Sequence, residues 1–133
     1  MARSPIIYVA FALAAALSIA AQAASDGVSA DFVACAKKVH GATFPLLHCY
    51  SEEMKAQDAA LAAAYERARR STDNTTTKKF LTRSQAAWEN YRDAWCEATV
   101  SRSGSLARVK LFECRLSETK RRTEALANLS ATR

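Results

Sequence analysis

Apolar side chains recur at alternating steps of three and four along three long stretches of this chain. That period places them on one stripe of an α-helix. In the first stretch, about Ser51 to Ser71, Met54, Leu61, Tyr65 and Ala68 share the stripe with Asp58. In the second, about Lys78 to Thr99, the stripe is Leu81, Ser84, Trp88, Tyr91 and Trp95. In the third, about Leu106 to Asn128, it is Val109, Phe112, Leu116, Thr119, Thr123 and Leu126. Ser51 suits an N-cap, Glu52 and Glu53 suit the positive end of a helix dipole, and Arg67, Arg69 and Arg70 suit the negative end. The polar runs Thr72–Thr77 and Ser101–Ser105 separate the three, and a shorter helix is expected from Ala30 to Val39, ahead of Gly41 and Pro45. Only 3 glycines and 2 prolines interrupt the chain, so helix is the default state.

Long helices with short links pack as antiparallel neighbours. The predicted fold class is therefore all-α: a small antiparallel bundle, a long helical hairpin plus a third helix. A fold-back about residues 74 and 75 sets Met54 near Trp95, Leu61 near Trp88, Tyr65 near Ser84 and Ala68 near Leu81. It also sets Asp58 beside Tyr91 and Arg92. A carboxylate on an apolar stripe is costly unless it is paired. Asp58 is accordingly expected to meet the Tyr91 hydroxyl or the Arg92 guanidinium and hold the two helices in register. Trp88, Tyr91 and Trp95 read as core packing, with a sugar-stacking ladder as the alternative.

Ahead of these helices the sequence changes character. Pro5 to Ala24 carries no charge, follows Arg3 and ends in Ala21-Gln22-Ala23, the small-x-small pattern of a cleaved export signal. Residues 1–24 are expected to be a signal peptide, and residues 25–133 a single domain in the periplasm or outside the cell. The alanine-rich second half of the run, followed by Asp26, argues against a retained integral membrane anchor. The whole chain carries 19 basic and 13 acidic residues, net +6. Losing Arg3 leaves 18 against 13, net +5, which favours anionic cell-wall polymer or phospholipid as a partner. No nucleic-acid partner is expected of an exported chain without an aromatic–basic motif.

The four cysteines, Cys35, Cys49, Cys96 and Cys114, form an even set in a short exported chain and read as two disulfides. Their spacing lacks the close pairs of a structural zinc site. Chain proximity favours Cys35–Cys49 with Cys96–Cys114. The hairpin register also brings Cys49 within about a turn of Cys96, which keeps Cys49–Cys96 with Cys35–Cys114 as the alternative.

Nothing in the sequence composes a catalytic site. Paired cysteines leave no thiolate, no Gly-x-Ser-x-Gly elbow or phosphate-binding glycine loop occurs, and a two-carboxylate hydrolase needs a cleft. His40 and His48 flank the Gly41–Leu47 loop without ligand geometry, so neither a metal nor a cofactor is expected. The chain reads as a binding module, with Thr72–Thr77 and Ser101–Ser105 as its candidate recognition surfaces.

Three segments carry a resemblance. Asp58-Ala59-Ala60-Leu61-Ala62-Ala63-Ala64-Tyr65 resembles D-x-x-L-N-x-x-Y, with Ala62 in place of the Asn. Leu81 to Cys96 resembles L-x-x-x-Q-x-x-W-x-x-[FY]-R-D-x-x-C through Gln85, Trp88, Tyr91, Arg92 and Asp93. Cys114, Thr119, Arg122 and Leu126 resemble C-x-x-x-x-T-x-x-R-x-x-x-L. Together they resemble the N-terminal domain of the LprI-type lysozyme inhibitor family. The resemblance implies a secreted, cysteine-bridged helical domain whose partner is lysozyme or another envelope protein. It also implies that Asp58, Leu61, Tyr65, Gln85, Trp88, Tyr91, Arg92 and Asp93 form a structural motif. The competing expectation is a structural or stress-related envelope protein bound to anionic cell-wall polymer.

Overall fold

A computed structural model describes residues 27–132; the expected signal peptide lies outside the described residues. Among the described residues four helices follow one another: α1 (Ala30–Lys38), α2 (Thr43–Arg70), α3 (Thr75–Val100) and α4 (Ala107–Ala131), the last entered through a short 3-10 turn at Gly104–Leu106. The two disulfides are Cys35–Cys49 and Cys96–Cys114, the pairing that chain proximity favours. One ties α1 to α2 and the other ties α3 to α4.

Helix α2 starts eight residues before Ser51. Pro45 is its third residue, within the first turn, where the amide it lacks would have no intrahelical acceptor. Glu53 therefore sits in mid-helix, buried, rather than at a helix start. It accepts from the Ser29 amide at 2.9 Å, the Ser29 hydroxyl, and Gln57 Nε2 at 2.9 Å. Ser29 caps α1, its own Oγ accepting from the Phe32 amide at 3.1 Å. Phe32 packs tilted against Tyr50, which stacks on Phe112, joining α1, α2 and α4 with centroids 4.7 and 5.8 Å apart. Between α1 and α2 the chain reverses through His40 (φ 47°) and Gly41 (φ 78°), two successive left-handed residues. Glycine adopts that conformation without steric cost.

The link between α2 and α3 is shorter than the sequence suggests. Asn74 caps α3, accepting from the Thr77 amide at 3.0 Å, so Thr75–Thr77 form its first turn and Thr72 is buried. The fold-back register holds to within about two residues: Tyr65 Oη donates to Thr82 Oγ1 at 3.1 Å in place of the expected Ser84, and Arg92 meets Asp58 at 3.5 Å. The partner of α2 differs from expectation, however. Its backbone approaches most closely that of α4, and it meets α3 through side chains such as Tyr65 and Asp58. Leu61, Ala64 and Ala68 of α2 enclose a core with Leu81 of α3 and Leu126 of α4, against which Tyr65, Trp88 and Leu129 pack. The alanines let α4 come close.

Helix α3 is also rotated relative to the expected stripe. Its inward positions are Leu81, Gln85, Trp88, Arg92 and Cys96, not Leu81, Ser84, Trp88, Tyr91 and Trp95. The Cys96–Cys114 bond turns Cys96 inward, and residues one position earlier stand about 100° round the helix. Tyr91 and Trp95 are therefore exposed, at 53% and 48%, and only Trp88 of the three aromatics packs on the core.

Candidate functional site

Arg92 is the junction of three helices. Its side chain is 15% exposed. Its Nε donates to Asp93 at 3.0 Å and its Nη1 to the buried Thr119 hydroxyl of α4 at 3.2 Å. Its Nη1 also lies 3.5 Å from Asp58 of α2, and the guanidinium covers the Trp88 ring at 5.1 Å. A second guanidinium, Arg122 of α4, approaches the same ring at 5.9 Å and donates to Gln85 Oε1 at 3.1 Å and to Ser84 Oγ. Burial lowers the Arg122 pKa below its ordinary value. Trp88 is thus bracketed by two cations, an arrangement that favours both through the ring's negative face.

All the motif residues but Tyr91 meet in this network. Asp58, Leu61, Tyr65, Gln85 and Arg92 line a shallow groove of about 310 Å³ between α2 and α3, together with Glu89 and Ala62. Asp58 pairs with Arg92 as expected, yet its side chain is 53% exposed, so the picture of a buried carboxylate is wrong. Partial burial raises its pKa, chiefly by desolvation, against the opposing pull of Arg92. Tyr91 makes no contact with it in the described network; that ring faces outward and stacks on Trp95.

Arg115 of α4 extends the charge pattern, reaching Asp93 at 3.3 Å and Glu97 at 3.6 Å. Here the carboxylates Asp58, Asp93 and Glu97 are held by guanidiniums, an arrangement that fastens α2, α3 and α4 together. Thr119 and Arg122 complete the network without having been singled out as site residues. Their signal was present in the spacing after Cys114, but a threonine and an arginine on a long helix are unremarkable until the fold brings them to Arg92 and Trp88.

A larger concavity of about 980 Å³ lies between α1 and α4, floored by Phe32, Val33 and Leu116 and rimmed by charges of both signs. It shares no residue with the motif network. Of the two expected recognition segments, Thr72–Thr77 is half absorbed into α3, through Thr75–Thr77, whereas Ser101–Ser105 remains a mostly exposed turn. No described helix is long and apolar enough to cross a membrane.

Residues 21–126, most of the chain, match the family model described as lysozyme inhibitor LprI. No curated protein and no solved structure matches the chain.

Proposed function

The chain belongs to the lysozyme inhibitor LprI family, and from that premise we propose that it is exported, loses residues 1–24, and blocks lysozyme by covering part of the enzyme's surface. The observation that carries this reading is the family match over residues 21–126, which spans both disulfides and the whole motif network. The architecture supports it. Two cystines and a guanidinium junction hold the helices in one arrangement, so a surface on them is preorganised, and little ordering entropy opposes binding. In this reading Asp58, Leu61, Tyr65, Gln85, Trp88, Arg92 and Asp93 serve as scaffold that sets the helix faces presented to the partner.

The test is lysis of cell-wall substrate by lysozyme in the presence of the oxidised, exported protein. Slowed lysis that saturates with inhibitor concentration is expected. Unchanged lysis by several lysozyme types at tens of micromolar protein removes the reading.

A second reading, attachment to anionic cell-wall polymer, draws on the exposed cations Arg67, Arg70 and Lys79 near the α2–α3 link. It predicts salt-sensitive sedimentation with peptidoglycan and no effect on lysis.

A further inference from the structure

The positive charge of this chain is gathered at one end of the bundle. From Glu66 to Arg83, around the link that joins α2 to α3, six cations stand against two acids, a net charge of +4. The cations are Arg67, Arg69, Arg70, Lys78, Lys79 and Arg83, and the acids are Glu66 and Asp73. The end of α4 beside this link adds Arg122 and Glu124, which cancel. Outside Glu66–Arg83 the described residues carry eleven cations and ten acids, net +1, that α4 pair included. Glu66 is held by Arg69 at 3.4 Å and Arg70 at 4.0 Å. Arg67, Lys78, Lys79 and Arg83 enter no ion pair among the described residues.

The antiparallel turn brings these side chains together. Tyr65 of α2 reaches Thr82 of α3, so residues before and after the link lie side by side. At 1.5 Å per residue, Arg67 lies about 6 Å from the Ser71 cap and Arg83 about 14 Å from the Asn74 cap. At physiological salt the Debye length is about 8 Å, so neighbouring cations here act jointly on a surface that meets the link end-on.

One large apolar side chain stands among them. Phe80 is 60% exposed and lies outside the core cluster. Its neighbour Leu81 fills the core, so Phe80 stands about 100° round the helix from it. Lys79 precedes Phe80, and Arg83 follows one turn on along the same side, both exposed. A hydrated polyanion engages the cations and has no place for the ring. A phospholipid bilayer takes both, because headgroup phosphates meet the cations while the ring enters the interface beneath them.

We propose that the α2–α3 end of the bundle is a peripheral docking surface for an anionic phospholipid bilayer. Lys78, Lys79 and Arg83 meet the headgroups and Phe80 enters the interface. The proposal stands apart from lysozyme inhibition. It shares its cations with the polymer reading above, and Phe80 separates the two.

The test is sedimentation of the exported, oxidised protein with three probes. These are vesicles of phosphatidylglycerol and phosphatidylcholine in equal parts, vesicles of phosphatidylcholine alone, and peptidoglycan. Wild type is expected to sediment with the mixed vesicles, less so as salt rises, and to stay in solution with phosphatidylcholine alone. Lys79→Gln/Arg83→Gln is expected to bind the mixed vesicles roughly twenty-five-fold more weakly, about fivefold for each cation removed. Phe80→Ser is expected to weaken binding at least about fivefold, and Phe80→Leu to restore most of it. Phe44→Ser, which removes an exposed aromatic at the start of α2, is expected to match wild type. These side chains are exposed, so melting temperatures should stay unchanged. No sedimentation with the mixed vesicles, or equal sedimentation with phosphatidylcholine alone, overturns the proposal. So does wild-type binding by Phe80→Ser, which would mean a polyanion contact made by the cations alone. Stronger sedimentation with peptidoglycan than with the mixed vesicles gives this end to the wall polymer, and the proposal falls. Lysozyme inhibition, present or absent, changes none of these outcomes.

Discussion

Replacing Arg92 with Met keeps most of the stem volume and deletes the guanidinium. The loss begins at Thr119, whose buried hydroxyl accepts from Arg92 at 3.2 Å and would be left without that donor. An orphaned buried acceptor costs about 1–3 kcal/mol, and losing the stack on Trp88 adds roughly 0.5–1 kcal/mol. The carboxylates contribute less than a buried ion pair would, because Asp58 and Asp93 are each about half exposed and recover water. The expected total is about 2–4 kcal/mol, or roughly 10–25 °C in melting temperature for a domain of this size. Urea and thermal unfolding of the oxidised protein at neutral pH measure it. Asp58→Asn is the companion variant. The folded state holds the Asp58 proton more tightly than the unfolded chain does, so ionisation of Asp58 costs stability as pH rises above the ordinary carboxylate range. Asp58→Asn should therefore be neutral or slightly stabilising at neutral pH. A loss below about 1 kcal/mol for Arg92→Met, or an equal loss for Asp58→Asn, would refute the assignment of Arg92 as the junction.

Three further outcomes follow from the same contacts. Glu53→Ala strands the Ser29 amide and hydroxyl, so α1 should lose protection in hydrogen exchange while α3 and α4 keep theirs, at a cost of about 1–3 kcal/mol. The Tyr50 hydroxyl has its pKa raised from 10.0 to about 12, by burial first and then by its hydrogen bond to Glu113 and that group's charge. Stability from this group is intact below pH 10 and is lost as pH rises toward about 12, so Tyr50→Phe should flatten the alkaline fall in an unfolding series. Cys96→Ser/Cys114→Ser should cost about 2–4 kcal/mol and loosen the rotation of α3, seen as a changed accessibility of Trp95 to collisional quenching; an unchanged signal would count against the cystine as the element that sets the rotation.

Much of this fold was legible in the residues alone. The period of three and four marked α2, α3 and α4, and the stripe of α4 matches Leu116, Thr119 and Leu126 as buried. Scarce breakers and short links implied an antiparallel bundle, and the fold-back register put Asp58 beside Arg92. Helix ends were less legible, because Pro45 and Asn74 act through local backbone geometry that periodicity does not register. The motif spacing pointed to Arg92 and Trp88, but not to the way α4 closes around them.

The sequence by itself determined which stretches are helical, that the cysteines pair, and which residue types recur in the family's pattern. These are properties of neighbours along the chain, where steps of 1.5 Å and 100° leave little freedom. Tertiary structure alone decided that α2 lies closest to α4 and that α3 is turned so that Arg92 faces inward and Tyr91 outward. An amphipathic stripe restricts a helix's rotation only to within a broad arc, and polar residues such as Gln85 and Arg92 can occupy the inner side once Thr119, Asp93 and Trp88 satisfy them. The cystine between Cys96 and Cys114 selects one rotation from that arc, and a choice made by contacts some twenty residues away along the chain is not encoded in any local window.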